Sequence, residues 1–472
     1  MMLVDVRPTA RLSGPGAVDV SGALAPILRA LGEGPLDLAR TRVVCDWIQY
    51  RNNFRDVVDV RPVGDTGTEI AVDLRRCAGI DLVAATRQAL SQPPRTYLEG
   101  WVPGAESLIW RFNALYWQAL SQWEHATGRQ YEQALPGGKS DARDLEAVRR
   151  LIKRLFGIWD SLDDRGALPE ALYVVELGVG NGNQARAWLD EFRRMDAAHG
   201  RDYYRRLHYL MGDYSPHVLA LARAAVSRHA GHVSGLVLDA CEPSATLAFL
   251  RYKAFLVYIS NVYDNLPTDE LARIGGRVHR VEVRAYLPDA DARRIAARFS
   301  LAADAIPVLV AKLVRLGPEL LSEAVPEFSG DEGAAVGFWR ECWSALRLEE
   351  RYVPLDGLDL YRIAPKLTGE VLRPLLESGG DLRMHVSNGA VASFSDTLPL
   401  LHPYGMLHCH DLFVTELPRY ENAFCGPGKY DGSVVNWING PLLKLVAARL
   451  GFEVSFERLA HNITTLSAGV RD

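Results

Sequence analysis

At 472 residues the chain exceeds what one ordinary core accommodates, so two or three domains are expected. Its 48% hydrophobic and 24% charged residues are those of a globular protein and exclude extended disorder. A formal net charge of -5 supplies no basic field for a nucleic-acid backbone, and no stretch approaches the length of uncharged apolar sequence that a membrane helix needs.

The opening MMLVDVRPTARLSGPG has no apolar signal core, so a cytoplasmic location is expected. Up to residue 80 the chain reads as a β-leaning accessory region. Strand-like runs at 57–63 and 68–74 flank Gly64-Asp65-Thr66-Gly67, a hairpin signal. From 81 to 168 helical signals dominate: 107–120 carries a broad aromatic face, and 144–159 has apolar residues near helical spacing. Pro136-Gly-Gly-Lys-Ser140 between them reads as a loop. Arg149, Arg150, Lys153 and Arg154 interleave with Leu151, Ile152 and Leu155, which makes them the solvated side of that helix and not a nucleic-acid patch.

An alternation of apolar runs and helix-like stretches then sets the fold class. Runs at 173–177, 208–211, 236–238 and 255–259 suit strands buried on both faces of a parallel sheet. The pattern resumes at 405–410, followed by a helix near 441–450. Two runs, 452–456 and 463–467, then follow with no room for a helix between them, hence an antiparallel pair. The expected fold is α/β: a Rossmann-like, mostly parallel sheet with its last strand antiparallel, built from 169–280 and 402–472. Between the fourth and fifth strands, 281–401 reads as a large helical insertion, a substrate or lid domain. It has breaks at Pro307, Pro318 and Pro326, a turn at Ser329-Gly-Asp-Glu-Gly333 and one strand at 348–353.

The most informative segment is Tyr173-Val-Val-Glu176-Leu-Gly178-Val-Gly180-Asn-Gly182-Asn183-Gln184. A strand entering Gly-x-Gly-x-Gly and then a helix is a nucleotide-binding turn. Gly178 permits the tight turn, Gly180 lets a ligand approach the backbone, and Gly182 allows close packing at the helix start. The third glycine comes one position too early for the dinucleotide fingerprint, which has glycine where Asn183 stands. Glu176 precedes the loop, and a carboxylate there repels a pyrophosphate on the helix N-terminus. It suits a phosphate-free ligand whose methionine end carries an ammonium and a sulfonium, favouring S-adenosylmethionine over NAD or FAD. A glycine turn without a ligand is the plain alternative.

Two more acids end the following strands. Asp213, before Tyr214, is placed to accept from ribose hydroxyls, and Asp239, before Ala240, from the adenine amino group. Either acid alone reads equally well as a helix cap. All three would lie on the carboxyl edge of the sheet, where open α/β folds bind ligands. The fourth strand runs into Ser260-Asn261-Val-Tyr263-Asp264-Asn-Leu-Pro267, where Asp264 can act on an acceptor or cap a helix leading from Pro267.

This series, Glu176-x-Gly-x-Gly-x-Gly182, then Asp213 with Ser215-Pro216, then Asp239, resembles the motifs of class I S-adenosylmethionine-dependent methyltransferases. Residues 260–267 are similar to the Asn-Glu-Phe-Phe-Asp-Ala-Leu-Pro segment of the MidA-like family, which includes the mitochondrial arginine methyltransferase needed for complex I assembly. The resemblance covers about 173–267 and 404–472. It implies S-adenosyl-L-methionine as cofactor, held by Glu176, Gly178, Gly180, Gly182, Asn183, Asp213, Tyr214, Asp239, Ala240 and Ser260, and a catalytic turn of Asn261, Tyr263 and Asp264. Where that family has Glu, this chain has Asn261, so one of the two acids that would hold a guanidinium is missing. Residues 1–100 match none of it.

The implied function is methyl transfer to a protein side chain such as arginine, or to another nitrogen or oxygen nucleophile. A small-molecule acceptor and a catalytically silent cofactor-binding protein are the alternatives. Neither nucleic acid nor membrane is expected as a partner, and nothing in the sequence sets the oligomeric state. In His408-Cys409-His410-Asp411 the histidines share one strand face and offer no third ligand, so no metal is expected. The six cysteines (Cys45, Cys77, Cys241, Cys342, Cys409 and Cys425) form no C-x-x-C pair, and neither Cys409 nor Cys425 has an identifiable base. Gly426-Pro-Gly-Lys429-Tyr430-Asp431-Gly432 reads as a turn or a substrate-facing lid. Tyr258 and Trp437 read as core.

Overall fold

The computed structural model describes residues 3–7, 21–34, 36–46, 50, 52–131, 144–377, 380–422, 426–460 and 463–470. The expected loop at Pro136 to Ser140 and the candidate Cys425 lie outside these residues.

Seven strands form the sheet that carries the glycine loop: β1 (Leu172–Leu177), β2 (Leu207–Asp213), β3 (Val233–Val237), β4 (Ala254–Ser260), β5 (Leu401–Asp411), β6 (Phe452–Ala460) and β7 (Ile463–Val470). Their order across the sheet is 3-2-1-4-5-7-6. Strands β1 to β5 pair in parallel, and β7 runs antiparallel between β5 and β6. This is the Rossmann-like class I methyltransferase arrangement. The continuous apolar runs of β1 and β4 follow from burial on both faces: Val175 and Val257 face one apolar core, Val174 and Leu256 the other.

Five helices matter for the site: α1 (Leu108–Gln118), α2 (Leu120–Thr127), α3 (Leu145–Asp163), α4 (Asn183–Ala198) and α5 (Pro216–Ala225). Asp144 caps α3, its side chain accepting from the Glu146 N–H. Helix α3 packs its apolar face on α4 through Trp159 and Phe192, as its amphipathic sequence requires. The basic side of α3 is solvated, with Arg149 paired to Glu191 at 2.6 Å.

A second sheet corrects the expected division of the chain. N-terminal strands Leu3–Arg7, Thr41–Asp46, Gly67–Asp73 and Val58–Val63 continue directly into Arg347–Pro354, Arg277–Pro288, Glu270–Ile274 and Leu382–His385. The expected hairpin between Val58–Val63 and Gly67–Asp73 forms. The segment 281–401 is therefore not a helical insertion standing alone. It supplies Arg347–Pro354, Leu382–His385 and most of Arg277–Pro288 to a mixed ten-stranded sheet, joined to the N-terminal region where Tyr352 pairs with Val63. Helices do cover it: Ile306–Ala324 starts with Pro307 in its first turn and kinks at Gly317, ahead of Pro318.

The shared sheet face carries buried charge. Arg61 meets Glu69 at 2.8 Å and Glu350 at 3.0 Å, while Arg383 and Arg55 also reach Glu350, at 2.9 and 2.5 Å. Burial alone would raise the Glu350 carboxyl, but Arg383, Arg55 and Arg61 hold it well below the usual carboxylate range. Buried ions persist only with such compensation.

Candidate functional site

Strand β1 ends in the glycine loop, which is tied to β2 by the Gly178 and Val179 N–H groups donating to the Gly212 carbonyl at 2.8 and 3.1 Å. Gly182 caps α4 with φ 77°, and a Cβ there would lie 2.6 Å from Cα of Ala222 on α5. Only glycine allows that approach, so α4 and α5 flank the loop closely. Asn181 Oδ1 accepts the Asn183 N–H at 3.1 Å, and the Asn183 side chain accepts from Arg186.

Glu176 does not stand where the charge argument put it. It is 2% exposed on the helix-covered face, and the Tyr209 hydroxyl donates to its Oε2 at 2.6 Å. Burial pushes its carboxyl up to about 8, so it is neutral at neutral pH. The residue braces β1 against β2 and presents no charge to a ligand in this state.

Asp213 is the acid that meets the loop. Its Oδ2 accepts the Gly180 N–H at 3.2 Å and its Oδ1 the Ser215 N–H at 3.1 Å, while Ser215 caps α5. Burial raises the Asp213 carboxyl to about 6 against these backbone donors. Tyr214 is exposed, and its hydroxyl accepts from Gln118 Nε2 of α1 at 2.8 Å. Asp239 lies exposed two residues beyond β3, accepting the Cys241 N–H at 2.8 Å, with Ala240 in that turn. Burial pushes the Cys241 thiol up to about 12, which keeps it protonated.

The turn after β4 holds the rest. Ser260 Oγ is buried with no hydrogen-bond partner among the described residues. Asn261 adopts φ 53°, a left-handed conformation asparagine tolerates, and its N–H donates to the His410 carbonyl at 2.9 Å. Tyr263 is buried in the apolar core beside Ser393. Asp264 is buried against Asp411 at the end of β5. Asp411 Oδ2 accepts the N–H groups of Val262 and Tyr263 at 3.1 and 2.8 Å, and its Oδ1 that of Leu412 at 2.8 Å. Burial first, and the Asp411 charge second, drive the Asp264 carboxyl well above its ordinary range. No helix leads from Pro267; the chain enters strand Glu270–Ile274, so the capping alternative for Asp264 is removed.

Other expected features settle into structural roles. His408 and His410 bond Ser467 and Thr465 of β7 at 3.0 and 2.8 Å, and burial pushes their imidazoles down to about 3 and about 4. No group of metal-ligating side chains occurs among the described residues. Cys409, Tyr258 and Trp437 are core. The loop around Lys429 is a rivet, not a lid. Lys429 Nζ donates to the carbonyls of Trp343, Ser344 and Leu346 at the C-terminus of helix Glu332–Ala345, and Asp431 accepts from Tyr116, Trp123 and Arg129.

Sequence reasoning missed Asn113, whose amide donates to the Asn265 carbonyl at 2.8 Å and accepts the Val434 N–H at 2.9 Å, binding α1 to the turn after β4. It also missed Tyr131, whose hydroxyl accepts the Asn181 N–H of the glycine loop at 3.2 Å. Neither carries a local motif.

No family model matches the chain, and no curated protein matches it. Among solved structures, the chain is similar to a Burkholderia thailandensis protein crystallised with S-adenosylhomocysteine bound, at 12% identity and TM-score 0.46 over 78% of this chain and 88% of that one. An uncharacterised Burkholderia thailandensis protein matches at 13% identity and TM-score 0.44, over 78% and 87%. The CcbJ methyltransferase from Streptomyces caelestis matches at 9% identity and TM-score 0.32, over 76% and 99%.

Proposed function

We propose that this chain is an S-adenosylmethionine-dependent methyltransferase acting on a nitrogen or oxygen nucleophile, with a protein side chain such as arginine as the acceptor. One observation carries the reading: the glycine loop, Asp213 and the Asp264 turn sit at neighbouring carboxyl ends of a sheet ordered 3-2-1-4-5-7-6 with β7 antiparallel. The loop also fits a cofactor without phosphate. Asp213 already holds the Gly180 N–H, so its carboxylate would face any phosphate brought to that backbone.

The cofactor, when bound, supplies the methyl group. Asp213 would take the ribose hydroxyls, Asp239 the adenine side, and the Gly178 to Gly182 backbone the methionine end. The Asp264 turn would present the acceptor to the methyl, and α1, pinned to that turn by Asn113, would wall one side of the site against water. The acidic net charge supports an acceptor other than nucleic acid.

The test is titration calorimetry with S-adenosylmethionine, S-adenosylhomocysteine and NAD, followed by transfer of labelled methyl in lysate. Binding of the two adenosyl ligands, and label travelling with protein, is the expected result. Tight NAD binding without response to S-adenosylmethionine would overturn the function, and label found only on small molecules would overturn the acceptor.

A further inference from the structure

The glycine loop is touched by a residue from outside the sheet. Tyr131 follows α2, about fifty residues before the loop, and its hydroxyl accepts the Asn181 N–H at 3.2 Å. A Cβ placed on Gly180 would lie 2.5 Å from that oxygen. Gly180 is therefore bare on the side where Tyr131 arrives, and the hydroxyl meets the loop at the glycine expected to admit a ligand.

Tyr131 is held firmly. Its backbone N–H donates to Glu124 Oε1 of α2 at 2.8 Å, and its ring stands edge-on to Trp117 of α1 at 5.7 Å. The two helices are anchored in turn, since Asp431 accepts from Tyr116, Trp123 and Arg129. A second contact from the same pair of helices reaches the other half of the site, where Gln118 Nε2 donates to Tyr214, next to Asp213. One helical unit thus touches both the loop expected at the amino-acid end of the cofactor and the residue beside its ribose acid.

We propose that α1, α2 and Tyr131 form a fixed cofactor clamp in which the Tyr131 hydroxyl recognises the amino-acid end of the ligand and Gln118, through Tyr214, the nucleoside end. This rests on the methyltransferase reading. The chemistry follows from position: a hydroxyl held on the loop backbone can donate to the carboxylate of a methionine or homocysteine moiety lying along that loop. With Glu176 buried and neutral, Tyr131 supplies a polar group at that end from outside the sheet.

The experiment compares two probes, S-adenosylhomocysteine and 5′-methylthioadenosine, which lacks the amino-acid end. Wild-type, Tyr131→Phe and Gln118→Ala proteins are titrated with each. Phenylalanine keeps the ring against Trp117, so thermal stability should hold. Tyr131→Phe should weaken S-adenosylhomocysteine about tenfold and leave methylthioadenosine unchanged, whereas Gln118→Ala should weaken both alike. Equal loss of both probes in Tyr131→Phe, or undiminished S-adenosylhomocysteine affinity, overturns the clamp while leaving the enzyme reading intact. A wild-type chain that binds neither probe overturns both.

Discussion

Asp264, buried in the turn that follows β4, lies against Asp411 at the end of the adjacent parallel strand β5, and the Asp411 charge adds to burial in favouring a proton on Asp264. Three backbone N–H groups of the 262–264 turn point at Asp411, at 2.8 to 3.4 Å, which makes Asp411 the better home for the charge and Asp264 the better home for the proton. A pair of this kind titrates as a unit. It also fixes the turn: without Asp411, three buried N–H groups lose their acceptor, a cost of about 1–3 kcal/mol for each group left unsatisfied.

Glu176 makes stability depend on pH. Its folded carboxyl is raised to about 8 by burial, so the folded state binds more protons than the unfolded one. The stabilisation is full below the usual carboxylate pKa near 4.5 and is lost as pH rises to about 8, on the order of 4 kcal/mol. Glu176→Gln keeps the bond from Tyr209 and removes the titration. Thermal melts from pH 5 to 8 should fall for wild type and stay flatter for the variant; parallel curves would show Glu176 ionised in the fold.

The buried charge between the N-terminal region and 281–401 predicts strong coupling. Glu350→Ala leaves Arg55, Arg61 and Arg383 without a shared partner in the interior, and should cost about 3–5 kcal/mol, read as a drop in denaturation midpoint. Replacing 289–398 with a short linker should yield no folded protein. The cut removes strand Arg347–Pro354 and also Val391 and Phe394, which sit in the core under β4 and β5. A soluble, cooperatively melting deletion would show the insertion to be an independent domain after all.

The legible part of the fold was the part buried on both faces. Tyr173 to Leu177 and Phe255 to Ile259 are apolar runs too short for helices, and the loop glycines mark where one strand ends. The second sheet hid because its inner face is ionic. Arg42, Arg61, Glu69, Glu350 and Arg383 read as solvent residues until the topology brings them together, and Arg277–Pro288 alternates charge with valine on a strand that is mostly buried. In the site, Asp213 and Asp264 were visible from their place after apolar runs. Asp411 was visible only as a strand end, because its role depends on a turn 147 residues away in sequence.

Asp213→Ala should weaken cofactor binding by roughly 1.5–3 kcal/mol, the scale of hydrogen bonds to a charged group. Since Asp213 also accepts the Gly180 N–H, the variant should loosen the loop as well as remove the proposed ribose contact. Asp213→Asn keeps one acceptor oxygen and should fall between the two. Calorimetry with S-adenosylhomocysteine checks both, and an unaltered affinity in Asp213→Ala would remove this acid from the site.

The acid pair sets the expected pH dependence of transfer. Asp411 is raised to about 6 by burial, opposed by its backbone donors, and Asp264 lies well higher. Below pH 6 the pair carries two protons and has no charge to offer an acceptor. Above it, one proton remains on two carboxyls, and the single negative charge can orient a guanidinium or take a proton from an amine or hydroxyl. The rate of transfer should therefore rise through an apparent pKa near 6 that belongs to the pair. In Asp264→Asn the carboxamide can still donate to Asp411, so the turn, the melting temperature and cofactor affinity should survive. The shared proton is gone, however, and transfer should drop by about a hundredfold, the usual scale of acid–base contributions, with the acid limb displaced. Measuring kcat/KM from pH 5 to 9 in both proteins decides it. A variant that keeps wild-type turnover and the same limb would reduce the pair to a brace for the turn.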